Sequence, residues 1–531
     1  MLAQIWPGGN SGMEWIILAW LALGGGILGV VVGRRLSGLR GSSLAMGIAL
    51  AGALGLWLAA WRHPPQEVVL RLERPFSIFQ TAWVFRLTPS AWGQGLGVLI
   101  AGFLVAWMWV AYPGQGRGWP RALALGMVIV ATGAALAADL FTLLIAWAML
   151  DAMFLALLLI RRGQAVADRA VLAGLVNGAA LLCLWAAAWQ IWRAGDSLFW
   201  SRMAGTAALP FLLLAVLIRL DIYPFHVGRP PELADEVDRA ALLYVLPTAL
   251  GLMLWAHLAP LLHGWAGMPW VAMALGLTAL LGGLWAWAEP DPRAGLVEAA
   301  WGSAAWWALS GLARPDVAPL AAILWPICFA LIFAGRPFDP ASLWGFPALM
   351  AILTIAGLPL TPGMPVATAF FGAWPFWAWP FLIFPSALLL GALWRGWRRT
   401  AEEPLPPERI WRTLYGLGLA LGMAGLVGLG AVFGAWQDVP SAFRFPLLAS
   451  PALGLALQWQ AERIHAAARG WAWVRPFLSL DWMYAGLTRL ISRPAAALQR
   501  VLEFFSHSAV MWLWIMVIAG ILLLFWQGAL R

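Results

Sequence analysis

Apolar residues run through this chain in continuous blocks of roughly 17 to 25, long enough to cross a hydrocarbon core of about 30 Å, and most polar residues fall in the turns between them. The blocks do not alternate residue by residue, which sets them apart from barrel strands. Inside hydrocarbon, backbone N–H and C=O groups are satisfied only within helices or closed barrels, so the blocks must be helices. The pattern predicts spans at 14–33, 43–61, 92–112, 121–138, 140–160, 170–192, 205–223, 240–262, 270–288, 295–313, 317–335, 343–365, 370–393, 412–435 and 509–528, with a weaker run at 446–460. The expected fold class is an all-α polytopic membrane protein of about fourteen or fifteen transmembrane helices.

Composition agrees. Of 531 residues, 62% are hydrophobic and 11% charged, with a mean hydropathy of +0.80, whereas a soluble domain carries about 25% charged residues. The first residues, MLAQIWPGGNSGMEW, lack a basic leader and no small-residue cleavage site follows, so 14–33 reads as a retained span. Cys183 and Cys328 both fall inside apolar runs, as small core residues rather than a disulfide framework or metal site.

The net charge of +9 resides on Arg in short loops, the positive-inside pattern rather than a nucleic-acid surface. Arg34, Arg35 and Arg40 follow the first span, and Arg117 and Arg121 the third. Arg161, Arg162 and Arg169 follow the fifth, and Arg395, Arg398 and Arg399 the thirteenth. These exits share one side, expected to be the cytoplasm of a bacterial membrane, which puts the N-terminus outside. The opposing loop at 62–91 is long and mixed, with Arg62, Arg71, Arg74 and Arg86 against Glu67 and Glu73. Residues 461–505 mix Arg463, Arg469, Arg475, Arg489, Arg493 and Arg500 with Trp, Leu, Ile and Phe, as in an amphipathic stretch along the membrane face.

All 33 basic residues are Arg and none is Lys. A GC-rich genome accounts for the bias, but it has a chemical consequence, because a buried Lys loses its proton readily and Arg does not.

Two spans are interrupted by proline at related places: IRLDIYPFH at Pro224, and AGLPLTPGMP at Pro359, Pro362 and Pro365. Paired broken helices mark an internal repeat with a transport site at the breaks; two ordinary kinked helices would give the same signal.

Around these breaks the chain resembles the antiporter-like membrane subunits shared by respiratory complex I, membrane-bound hydrogenases and Mrp-type sodium/proton antiporters. The resemblance covers roughly 80–400 and rests on five stretches in order: DLFTLLIAWAMLDAMFLALLLI (139–160), IRLDIYPFHVGRP (218–230), DPRAGLVEAAWGSAAWWALSGL (291–312), AILWPICFALIFAGR (322–336) and AGLPLTPGMP (356–365). It implies two inverted five-helix repeats, each with a Pro-broken helix, flanked by extra spans. The expected domains are 1–112 (N-terminal flanking spans and outer loop), 113–262 and 263–400 (the repeats), and 401–531 (C-terminal spans with the lateral segment). It also implies a place among other polytopic subunits, and passage of protons or sodium along buried Glu, Lys and His.

Set against that family pattern, the ion path is depleted. The family's Glu in the fifth span falls on Ala148, and Asp151 stands one turn on as a replacement or as an interfacial acid near Arg161 and Arg162. The family's Lys in the broken span falls on Arg219, read as a fixed counter-charge for Asp151 or Asp221 or as a snorkelling Arg. His226 keeps its family position, able to titrate or simply to hydrogen-bond in the break. The next Lys falls on Ala249, with His257 at a later Arg position.

In the second half the family's His and Lys fall on Trp325 and Phe329, and 340–394 contains no Asp, Glu, Lys, Arg or His. Glu298 is the one buried acid expected there. The candidate ion-path residues are thus Asp151, Arg219, Asp221, His226, His257 and Glu298, with no catalytic, cofactor-binding or metal-binding residue assigned.

The expected function is a membrane-arm subunit of a complex I-like assembly, coupled to proton or sodium translocation but with a degenerate path. The alternatives are a stand-alone secondary transporter, or the membrane half of an inorganic-carbon uptake complex.

Overall fold

Segment α1 (Gly12–Ala60) carries the first two expected spans as two helices that meet at Gly38, whose non-helical backbone at φ 70° only glycine adopts freely, and that pack back on each other, a Cβ on Gly26 meeting Ala49. The computed structural model describes residues 12–61, 66–70, 83–111, 119–159, 164–200, 207–226, 237–263, 265, 267–335, 338, 342–400, 408–433 and 441–470, with 480, 482, 483 and 486. The chain divides into two units, Met1–Ala472 and Trp473–Arg531, and every element named below belongs to the first. The expected span at 509–528, most of the lateral segment beyond Gly470, and Arg62, Arg71, Arg74, Arg117, Arg161 and Arg162 lie outside the described residues.

The loop at 62–91 holds two short strands, β1 (Gln66–Leu70) and β2 (Trp83–Leu87), paired antiparallel with Gln66 opposite Leu87. β2 is fastened to the body by backbone: Arg86 N donates to Leu136 O at 2.8 Å and Ala138 N to Val84 O at 2.9 Å. Then follow α2 (Pro89–Ala111), α3 (Trp119–Ala135), α4 (Leu140–Leu159), α5 (Gln164–Arg193), α6 (Leu209–Arg219) and α7 (Val237–Leu262). After these come α8 (Met268–Ala288), α9 (Pro292–Ala313), α10 (Ala318–Ala334), α11 (Phe346–Ala356), α12 (Met364–Gly372) and α13 (Trp379–Thr400). The unit closes with α14 (Arg409–Phe433), α15 (Ser441–Trp459) and α16 (Ala461–Gly470). Among the described residues ten helical segments are long and apolar enough to cross a membrane, and the protein is an integral membrane protein.

The expected single span at 370–393 is instead divided between α12 and α13, because Pro375 sits in the turn between them. The weaker run at 446–460 is helical, as α15. α2 and α10 form the middle of the bundle. α10 is apolar all round, and Ala321 through Ala334 are at most 1% exposed, as expected of a helix surrounded by protein.

The order of elements from α3 to α7 recurs from α8 to α13: three unbroken helices, a broken one, then another unbroken helix. A five-helix unit starts and ends on opposite sides of a membrane, so the second copy is inverted relative to the first.

The two breaks share a backbone geometry. At the end of α11, Gly357 N donates to Thr354 O at 3.0 Å and Leu358 N to Leu353 O at 3.2 Å, with Gly357 left-handed at φ 65°. That is the Schellman arrangement, which satisfies carbonyls a helix end would otherwise leave unpaired. At the end of α6, Asp221 N donates to Ile218 O at 2.9 Å and Ile222 N to Leu217 O at 2.8 Å, with Asp221 at φ 53°. A further bond repeats at the same offset, Phe225 N to Ile222 O at 2.8 Å and Thr361 N to Leu358 O at 3.1 Å. This register sets Asp221 against Gly357 and Arg219 against Ile355.

In the second break the chain folds back so tightly that a Cβ on Gly363 would overlap the Thr354 carbonyl oxygen. Gly363→Ala should therefore lower stability by about 3 kcal/mol, in the upper range for overpacking, measured as a downward shift of the unfolding transition in detergent.

Candidate functional site

α4 places Trp147 and Asp151 one turn apart, so they present side by side. Both meet Arg219, the last residue of α6. Arg219 Nη1 donates to Asp151 Oδ1, and its guanidinium carbon lies 4.7 Å from the centre of the Trp147 ring. The same Nη1 reaches Asn177 Oδ1 of α5 at 3.3 Å. The Arg219 side chain is 1% exposed and that of Asp151 17%. The guanidinium is thus buried and paired, not reaching for the membrane surface.

Three features hold this cation. Its counter-ion supplies the largest, since an unpaired charge at such a site costs several kcal/mol. The indole face adds a cation–π contact. The third is its place in the final turn of α6, where the negative end of the helix dipole favours a positive charge. Asn177 carried no signal in the sequence, since an amide inside an apolar helix gains meaning only when its neighbour is known.

Asp221 differs from the sequence expectation in kind. Its left-handed backbone makes it the cap of α6, a position that Asp tolerates better than most residues. Its carbonyl oxygen accepts from Trp301 Nε1 of α9 at 2.6 Å, and Tyr223 N donates to Thr278 Oγ1 of α8 at 3.0 Å. The break in the first repeat is therefore anchored on the first two helices of the second. His226 sits in an aromatic box there, with ring centres 5.6 Å from Tyr223, 5.0 Å from Trp285 and 5.2 Å from Trp301.

The remaining candidates stand apart from this group. His257 stacks on Trp200, centres 4.7 Å apart and planes 6° from parallel. Glu298 is half-buried rather than buried. It lies six residues from the start of α9, about 9 Å by the helical rise.

In the second repeat, Trp325 and Phe329 are both fully buried. Trp325 Nε1 donates to Ser303 Oγ at 3.1 Å and its ring is 4.7 Å from Phe329. Trp306 packs on Phe370 at 3.9 Å. Aromatic rings fill the positions where the resemblance implied titratable groups.

Two Arg residues expected in loops are buried instead. Arg121 donates from Nε to Ser43 Oγ at 2.7 Å. Arg395 donates from Nη1 to the carbonyls of Trp287 at 3.0 Å and Ala286 at 3.4 Å, closing the end of α8. His465 of α16 approaches Trp287 O at 2.7 Å and Arg395 Nη2 at 3.1 Å, tying the first turns of the amphipathic stretch to the second repeat.

These features define a polytopic membrane protein of two inverted repeats, with a buried ion pair at one broken helix and an aromatic filling near the other. Comparison with solved structures places the fold. The chain is similar to a chain of the Mrp complex from Dietzia sp. DQ12-45-1b, at TM-score 0.73 and 18% identity, over 97% of this chain and 63% of that one. This chain thus spans less than two thirds of that relative's length. It is also similar to a chain of respiratory complex I from Thermus thermophilus with bound aureothin, at TM-score 0.59 and 18% identity, over 80% of this chain and 100% of the other. A third similarity is to the membrane-bound sulfane sulfur reductase, an archaeal respiratory membrane complex, at TM-score 0.61 and 16% identity, over 94% and 99% of the two chains. No protein-family model and no curated protein sequence matches the chain. The chain has the fold of the antiporter-like membrane subunits.

The cap and the ion pair are separable by mutation. Asp221→Gly should keep stability within about 1 kcal/mol, whereas Asp221→Val should lose about 2 kcal/mol, because a branched side chain disfavours the left-handed backbone. Unfolding in detergent would measure both. Asp151→Asn should cost about 3–5 kcal/mol by leaving Arg219 without its counter-ion, and Asp151→Leu combined with Arg219→Met should recover most of that loss. A double-mutant cycle in the same assay would report the coupling.

Proposed function

We propose that the chain is a membrane-arm subunit of a complex I-like respiratory or ion-transport assembly, and that its own role is mainly structural. Its partners are other polytopic subunits. The repeats run over 113–262 and 263–400, in a bacterial cytoplasmic membrane with the N-terminus outside. The observation that carries the reading is the contrast between the two repeats. The first keeps a charge pair, Asp151 with Arg219, but an arginine stands where a proton relay would use a lysine, and guanidinium is a fixed charge and not a proton carrier. The second has Ile355 in the place of Arg219, and Trp325 and Phe329 where a relay would need His and Lys.

Energetics support the same reading. A charged side chain at mid-bilayer costs about 2.5–3.5 kcal/mol on insertion scales, so apolar replacements favour insertion while removing carriers. A subunit relieved of pumping gains stability from each such change, and the pair that remains serves packing at the broken helix.

The test is proton flux from the reconstituted assembly, compared for wild type, Asp151→Asn and Arg219→Ala. The expected outcome is unchanged flux per assembled complex, with a reduced yield of complex. Flux lost in either variant would show that the first repeat conducts and would overturn the structural role. Robust ion or solute flux by the isolated chain in liposomes would instead favour a stand-alone transporter.

A further inference from the structure

Helix α16 (Ala461–Gly470) is ten residues long and holds to the body by one edge. Ala461, Ile464 and His465 are half-buried, at the spacing of a single helix face, while Glu462, Arg463, Ala466 and Ala467 are exposed. Ala461 and Ile464 pack on the core. An alanine and an isoleucine cover little apolar surface, and a helix this short is marginal by itself. What His465 adds therefore decides whether α16 stays docked.

His465 reaches the end of α8, where its Nδ1 lies 2.7 Å from Trp287 O and 3.1 Å from Arg395 Nη2. The two contacts make opposite demands on one atom. A carbonyl oxygen only accepts and a guanidinium only donates, so Nδ1 bonds the first with a proton or the second with a lone pair, never both. A proton on Nδ1 suits the shorter contact. The guanidinium is fixed in place by its other bonds. Its Nη1 donates to Trp287 O and Ala286 O, and its carbon lies 5.5 Å from the centre of the Trp287 ring. Arg395 is 6% exposed and keeps its charge at any physiological pH.

A neutral imidazole satisfies this site. With its one proton on Nδ1 it donates to Trp287 O and brings no charge to Arg395. An imidazolium makes the same bond but sets a second cation beside the buried guanidinium. The carbonyl end of α8 favours a positive charge, but Arg395 already occupies that place. The surrounding charges do not offset it. Glu289, Asp291 and Arg293 lie in and after the α8–α9 turn, Arg398 on α13, and Glu462 and Arg463 on α16. From α15 comes only the neutral Gln458, whose Nε2 donates to Gly391 O at 2.6 Å. Acids and arginines in that set are equal in number. Among the described residues, Arg395 is the one charged group within hydrogen-bond distance of the imidazole.

We propose that His465 is a pH-responsive latch. Neutral, it holds α16 against α8 and α13; protonated, it is repelled by Arg395 and the helix is released. A released imidazole takes up its proton without that repulsion, so acidification favours release. α16 is the first part of the basic stretch at 461–505 expected along the membrane face, and the latch sets whether that stretch starts pinned to the second repeat. It is independent of the ion pair at Arg219.

Hydrogen exchange of the full chain in mild detergent tests the latch, read on the amides of 461–470 and corrected for the intrinsic pH dependence of exchange. Protection there should fall about tenfold between about pH 7.5 and about pH 5.5, the range in which imidazole titrates, while α8 and α13 keep theirs. His465→Asn, which offers an uncharged N–H at the same reach, should hold its protection at both pH values. His465→Ala should lose protection at both. Protection that does not change with pH in the unaltered chain would overturn the proposal, as would an undiminished fall in His465→Asn or full protection in His465→Ala.

Discussion

Two helices of this protein stop inside an apolar body, and a helix that stops leaves its last carbonyls without partners. In water those groups would be solvated. In hydrocarbon each costs several kcal/mol, so the chain must satisfy them with its own backbone. It does so twice, by the same Schellman turn, at Ile218–Ile222 and at Thr354–Leu358. The rest of the arrangement follows from these turns. They fix where Arg219 ends α6, which residues enter the breaks, and how the first repeat leans on Thr278 and Trp301 of the second.

The two turns then diverge in chemistry. The first is held by polar and charged groups: a cation at the negative end of a helix, its carboxylate partner from α4, an amide from α5, and an imidazole enclosed by aromatic rings. The second is held by close packing. Gly357 supplies the left-handed residue, Gly363 admits the Thr354 carbonyl, and Gly430 of α14 lets Pro362 approach. A turn held by charges can couple to ions or to a partner's charges, whereas one held by packing can only be rigid. This asymmetry within one repeated fold is the physical content of the functional reading.

Much of the fold was legible before any coordinates. Block length and continuity gave membrane helices, and the two proline-marked stretches gave the breaks, although Pro326 and Pro385 lie inside helices that continue through them. The proline itself misled in detail. α6 ends at Arg219, five residues before Pro224, because the cap needs a left-handed residue and Asp221 provides it. Similarly, Arg121 and Arg395 sit at the edges of apolar runs and read as loop charges. Their burial depends on Ser43, Trp287 and His465, all distant in sequence.

By itself, then, the sequence determined the solvent, the helical class, the paired breaks and the supply of titratable groups, because these depend on run length and residue type alone. Tertiary structure decided which charges meet. It paired Arg219 with Asp151, brought Asn177 to the same guanidinium, and made Asp221 a helix cap. The reason is geometric. A helix fixes which residues share a face but not which helix that face will meet, and in a bundle of many similar apolar rods only packing chooses the neighbour.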